Sequence, residues 1–250
     1  MIPLELALGF GIGLSLGLLG GGGSILTVPA LVYLVGQTPQ AAVVTSLAIV
    51  GANSVMGATF HHSQGTLDWK VALTFGGAGI LVSYLSGHLA SHLSPAVLLV
   101  TFALLMLAIG IMLLFRRGNE SDTSYSPKPL MLVLAGGAGV GLLTGVLGVG
   151  GGFLVVPALV MLVGLPVQVA VGTSLVVIAM NSLAGFLGHV GNGSFDLILT
   201  LIFAGAGLAG TFAGAKLSGR ISSSKLQKAF AWFVIALAFF LLYDNLPKVF

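Results

Sequence analysis

The sequence predicts an all-α polytopic membrane protein of two inverted-topology repeats, each a glycine-broken helical hairpin plus three transmembrane helices. Three observations carry this: a composition unsuited to water, apolar runs of bilayer length, and a motif pair that recurs at a fixed offset. With 57% of its residues apolar, 6% charged and a mean hydropathy of +1.13, the chain is far from water-soluble domains, which carry about 25% charged residues. Several runs reach the roughly 20 apolar residues that cross a hydrocarbon core of about 30 Å. A lipid-facing backbone must satisfy its own hydrogen bonds, and the runs lack the alternation of an outer-membrane barrel, so the spans are helices.

The stretch GLLGGGGSILTVPAL, from Gly17 to Leu31, returns as GVLGVGGGFLVVPAL, from Gly145 to Leu159, with ten of 15 positions identical. The offset that carries Pro29 onto Pro157 also pairs Gln40 with Gln168, Thr45-Ser46-Leu47 with Thr173-Ser174-Leu175, Asn53-Ser54 with Asn181-Ser182, His61 with His189 and Asp68 with Asp196. Agreement without a gap over this length marks a duplication. The polar stretch RRGNESDTSYSPKP separates the halves. The expected organisation is therefore repeat 1 over 1–115, a cytoplasmic linker over 116–129, and repeat 2 over 130–250.

Each half reads as four segments. Segment A (3–36 and 131–164) is apolar but broken by Gly20 to Gly23 and by Gly148 to Gly152, poor helix interior. Its second arm, Ser24 to Gly36, is 13 residues, or roughly 20 Å, too short for a comfortable span. Segments B (40–60 and 168–188), C (70–90 and 197–217) and D (95–115 and 224–243) are single spans. The N-terminal stretch lacks a basic region and an A-x-A site, so it is expected to be the first hydrophobic segment rather than a cleaved leader. Abundant glycine, 38 residues, suits close helix approach or deliberate breaks in lipid.

Orientation follows from positive charge. The joining loop carries Arg116, Arg117 and Lys128, and the C-to-D loop of the second half carries Lys216, Arg220, Lys225 and Lys228, so both are expected in the cytoplasm. B and C of that half cross once each between these loops, so A must cross an even number of times and is a hairpin whose tip reaches only part way. The crossings per half are then odd, and the halves are opposed. The first-half C-to-D loop, Gly87 to Pro95, has no Lys or Arg, as an outward loop should. Parallel repeats are the rival arrangement.

Candidate chemistry lies at the breaks and on segment B. A glycine-rich break before a short helix exposes backbone N–H groups at the positive end of the helix dipole, which suits an anion. Gly21, Gly22, Gly23 and Ser24, with Gly150, Gly151 and Gly152, are the candidates, and in an inverted pair the two tips face each other. The alternative is that these glycines only permit a turn or a helix contact. On B, Ser46 and Asn53 are seven residues apart and share a face, with Thr45 beside them. Thr173, Ser174 and Asn181 repeat the stripe. Such neutral donors can replace the hydration shell of an oxyanion, or can hydrogen-bond between helices; both readings stand, and for Ser54 and Ser182 the second is preferred. His61, His189, Asp68 and Asp196, near the end of B and the start of C, are coupling or gating candidates, with loop hydrogen bonding as the alternative. Glu5, the only carboxylate within an apolar run, is expected at the interface.

Other classes fare poorly. A net charge of +3 and a pI near 9.4 arise from loop residues rather than a basic face, so no nucleic acid is expected. There is no Cys and no HExxH, so no metal site is expected, and no cofactor. GVLGVG matches a dinucleotide fingerprint only as a string, and no motif supports an enzyme.

The repeated Gly-rich element ending in VPAL, followed by VVTSLAIVGANS and AVGTSLVVIAMNS, resembles the TauE/SafE family of sulfite and sulfoacetate exporter-like permeases over nearly the whole chain. The resemblance implies a multi-pass carrier of the bacterial or archaeal inner membrane for sulfite, organosulfonates or other small anions. Val44-Thr45-Ser46 departs from the more usual Gly-Thr-Ser form. The expected partners are the small anion and the lipid bilayer, with a homodimer left open. A channel and a membrane scaffold without transport activity are the competing classes.

Overall fold

A computed structural model of the chain describes residues 2–19, 23–90, 94–115, 129–147, 152–189, 196–217 and 223–248. Among these, the order is α1 (Ile2–Leu19), α2 (Ser24–Pro29), a π-helical turn (Ala30–Leu34), α3 (Pro39–Ser63), α4 (Trp69–Ala90) and α5 (Pro95–Phe115). Then follow α6 (Leu130–Leu147), α7 (Gly152–Ala158), a second π-helical turn (Leu159–Val163), α8 (Val167–His189), α9 (Leu197–Leu217), α10 (Ser223–Asn245) and a 3-10 turn (Leu246–Lys248). Helix limits in the second half match those in the first, carried over by the offset of the sequence repeat, to within a residue or two. The duplicated sequence thus folds into duplicated elements. By length and composition, five described helices can cross a membrane: Pro39–Ser63, Trp69–Gly87, Leu130–Leu147, Gln168–His189 and Leu197–Leu217.

The local chemistry explains the irregular pieces. Pro29 and Pro157 have no N–H to donate and crowd the preceding turn, and the helix resets beyond each into a π-helical turn. Gly36 and Gly164, at φ 82° and 83°, then take the left-handed conformation, which frees Gln37 N–H to reach Leu31 O at 2.9 Å and Leu165 N–H to reach Leu159 O at 3.1 Å. Thr38 caps α3 by accepting from Ala41 N–H at 3.4 Å, with Pro39 in the first turn.

The two arms of each segment A are unequal. α1 and α6 each run 18 residues, about 27 Å at 1.5 Å per residue; α6 is among the helices that can cross a membrane, and the second arms, α2 and α7 with their π turns, are shorter than either. Glycines inside α1 and α6 do not break the helix; they bring it against a neighbour. Gly9, Gly13 and Gly17 lie against the backbone of Phe203, Gly207 and Thr211 on α9, and Gly137, Gly141 and Gly145 lie in the same way against Phe75, Gly79 and Ser83 on α4. A Cβ at any of the six would collide with main-chain atoms, the small-residue contact typical of membrane helices.

Pairing therefore crosses between halves. α1 packs on α9 and α6 on α4, α3 and α8 pack on each other and on α9 and α4 respectively, and α5 packs on α10. Exposed Leu81, Leu85, Met131, Ile198 and Trp232 give the apolar exterior that lipid solvates. Glu5, in the first turn of α1, is 9% exposed. One contact has no counterpart in the other half: Tyr33 donates to Asp244 Oδ2 at 2.9 Å and accepts from Asn245 Nδ2 at 2.6 Å, whereas the equivalent position of the second repeat is Met161.

Candidate functional site

Two asparagines mark the interior. Asn53 on α3 is 1% exposed and Asn181 on α8 is 0% exposed, and neither oxygen nor nitrogen of either carboxamide has a hydrogen-bond partner among the described residues. Each amide rests on a glycine. Asn53 lies over Gly207, and a Cβ at Gly79 would stand 2.8 Å from Asn181 Nδ2. Gly207 and Gly79 also receive Gly13 and Gly141, so each amide sits where three helices meet. Leaving a buried polar group unmade costs about 1–3 kcal/mol; folded proteins keep such groups where water, an ion or a ligand completes them.

Hydroxyls extend this polarity unequally. Thr45 and Ser46 are completely buried and unpartnered among the described residues, as are Ser54 and Ser182. In the second half Thr173 Oγ1 accepts from Asp68 N–H at 3.0 Å, and Ser174 donates to Val171 O at 2.7 Å. The repeat is thus a repeat of residues but not of hydrogen bonds. The connection between α3 and α4 brings Asp68 onto α8 and occupies Thr173. Sequence reading passed over Thr27, Thr144 and Thr211, whose buried hydroxyls also lack partners among the described residues. The available signal was a lone hydroxyl within an apolar, glycine-rich helix.

Of the glycine breaks, Gly21, Gly22, Gly150 and Gly151 lie outside the described residues. Gly23 presses on the α1 backbone at Ile12 and Leu16, the same stretch that carries Gly13, and Ser24 and Gly152 begin α2 and α7 as buried residues. α2 packs on α3, α7 on α8, and α2 and α7 on each other, which brings the chains leaving both breaks together beside the α3–α8 contact.

The four coupling or gating candidates sit at helix ends. Asp68 accepts from Val71 N–H and Asp196 from Leu199 N–H, both at 3.0 Å, which makes them the N-terminal caps of α4 and α9. His61 Nδ1 lies 2.8 Å from Thr66 Oγ1, and its buried Nε2 has no partner among the described residues. His189 Nδ1 lies 2.9 Å from Gly185 O, which requires the proton on Nδ1. Asp68→Ala and Asp196→Ala are each expected to lower stability by about 1 kcal/mol through loss of the cap, read as a shifted unfolding midpoint in detergent. An unchanged midpoint would leave the caps without energetic weight. Among the described residues no three His, Cys, Asp or Glu side chains gather as metal ligands.

Comparison with known proteins finds relatives over most of the chain. A profile of the family described as "Sulfite exporter TauE/SafE" matches residues 5–241. A "Probable membrane transporter protein" of Xylella fastidiosa is 34% identical over 204 residues, 80% of this chain and 78% of that one. An archaeal protein of the same description from Methanocaldococcus jannaschii is 30% identical over 198 residues, 76% of this chain and 73% of that one. No solved structure matches significantly.

Proposed function

Because the chain belongs to the sulfite exporter TauE/SafE family, a family of multi-pass membrane transporters, we propose that it exports small anions, sulfite or organosulfonates, by alternating access. The observation that carries this is the pair of buried carboxamides, Asn53 and Asn181, one from each half and both without protein partners among the described residues. Amide N–H groups and the hydroxyls of Thr45 and Ser46 replace water around an oxyanion. Among the described residues no Lys or Arg is buried, so no fixed positive charge would hold the anion too tightly to release.

In this reading the two halves are inverted about the α3–α8 contact, and their relative movement opens the site to each side in turn. The reciprocal pairing of α1 with α9 and α6 with α4 is the two-fold exchange that an inverted pair of halves produces. The Asp68, Asp196, His61 and His189 positions at the helix ends are then hinges or gates of that motion rather than ligands.

Membrane potential supplies the direction. With the cytoplasm negative, moving one negative charge outward gains about 2.3 kcal/mol per 100 mV, enough to sustain an anion ratio of about fifty. Purified protein in liposomes is expected to give saturable sulfite flux and counterflow that follow an imposed potential. Ohmic single-channel currents would replace the carrier by a channel. Flux indifferent to voltage but strictly dependent on a proton or Na⁺ gradient would replace the uniporter by a coupled carrier.

A further inference from the structure

The second arm of the first hairpin is tied at its far end. Tyr33, in the π-helical turn Ala30–Leu34, donates its hydroxyl to Asp244 Oδ2 at 2.9 Å and accepts from Asn245 Nδ2 at 2.6 Å. Asn245 Nδ2 also donates to Leu241 O at 3.0 Å, and the Tyr33 ring meets Phe240 edge-on, with 5.3 Å between centroids. Phe240, Asp244 and Asn245 all belong to the last two turns of α10. The sequence repeat sets Met161 opposite Tyr33, and Arg116 and Arg117 opposite Asp244 and Asn245. A thioether has no proton to donate, and Met161 is 60% exposed, so the arm of the second hairpin cannot be tied in this way.

What the tied arm covers is a polar face of α3. Ala42, Thr45, Ser46 and Ile49 follow the i, i+3, i+4, i+7 spacing of one helix face. Ala42 and Ile49 belong to the same buried cluster as Ile25, Val28 and Leu31 of the arm and Leu241 of α10, and both pieces of the arm pack on α3. Thr45 and Ser46 are 0% exposed, and neither hydroxyl has a partner among the described residues. Two open hydroxyls therefore lie on the face that α3 turns toward the arm. Their counterparts Thr173 and Ser174 are already engaged in hydrogen bonds.

α10 starts beside Lys225 and Lys228 and ends at Asn245. In the orientation set by positive charge its end, and Tyr33 with it, lie at the outer face. We propose that Tyr33, Asp244 and Asn245 form an outer latch that holds the arm over Thr45 and Ser46, and that its release opens those hydroxyls to the outside. This rests on the transporter reading above and adds a named gate to it. The latch involves none of the glycine contacts that join α1 to α9 and α6 to α4, so the arm swings while those seams stay closed.

The chain has no Cys, so single cysteines report access without background. Ser46→Cys and, at its counterpart, Ser174→Cys are made separately in wild type and in Tyr33→Phe, which keeps the ring on Phe240 and removes only the hydroxyl. Labelling by a membrane-impermeant maleimide is followed in right-side-out and inverted vesicles, and melting profiles establish that each variant is folded. Loss of a hydrogen bond to a carboxylate moves a closed arm toward its open state by about tenfold or more. Tyr33→Phe should therefore speed labelling at position 46 about tenfold from the outer face and leave position 174 unchanged. Unchanged labelling at position 46 would make the cluster a structural tie and overturn the latch, with the transporter reading intact. A rise at both positions would reveal a loosened bundle, and a rise from the inner face alone a gate on the wrong side; either overturns the latch. If the contrast appears but wild type in liposomes gives no sulfite counterflow, the latch stands and the anion-transporter reading falls.

Discussion

Gly13→Leu should leave almost no folded protein, whereas Gly11→Leu should behave as wild type. The Cβ of any residue at 13 runs into the main chain of Gly207, and backbone cannot rotate out of the way as a side chain can. α1 and α9 would have to part along their whole seam, at a cost beyond the about 1–3 kcal/mol of ordinary overpacking. Gly11 has nothing within 4 Å of its would-be Cβ, so leucine there enters open space. The duplicated pair repeats the contrast: Gly141 abuts Gly79, and Gly139 is open. Monodisperse yield on size exclusion after detergent extraction measures it. Normal yield from Gly13→Leu would mean that the two helices are not in backbone contact.

Asn53→Leu and Asn181→Leu should each melt later than wild type and transport at least about a hundredfold more slowly. Leucine has nearly the outline of asparagine, and it removes two buried polar atoms that find no partner among the described residues. Removal of such unmade groups stabilises by about 1–3 kcal/mol. The same removal deprives the anion of its amide donors, worth about 1.5–3 kcal/mol for each bond to charge. Opposite signs in stability and flux separate a ligand-binding amide from a structural one. A lower melting temperature would give the amide a structural partner, and full transport activity by both variants would remove the pair from the site.

How much of this was legible in the residues depends on what each signal encodes. The duplication and the segment limits were readable because apolar length and the glycines at Gly36 and Gly164 act locally. Glycine has two meanings in a membrane helix. α1 stops at Leu19, before the Gly20 to Gly23 run; at Gly9, Gly13 and Gly17 single glycines four apart form a contact surface. That spacing announces a close neighbour without naming it, so the pairing of α1 with the other half's α9 could not be read. Asn53 and Asn181 were readable as buried polar residues on an apolar helix. The differing fates of Thr45 and Thr173 were not, because they depend on the path by which Asp68 reaches α8.

The exchange of first helices between the repeats has a consequence for biogenesis. A fragment ending at Phe115 holds α1 but lacks the α9 groove that receives it, and holds an α4 groove with no α6 to fill it. Each fragment alone would display two bare glycine surfaces to lipid, and neither could reach its final packing. Synthesised together from two separate messages, the fragments should find each other and mature as a complementing pair. The ancestral unit, before its gene doubled, would by the same reasoning have needed a twin in the bilayer.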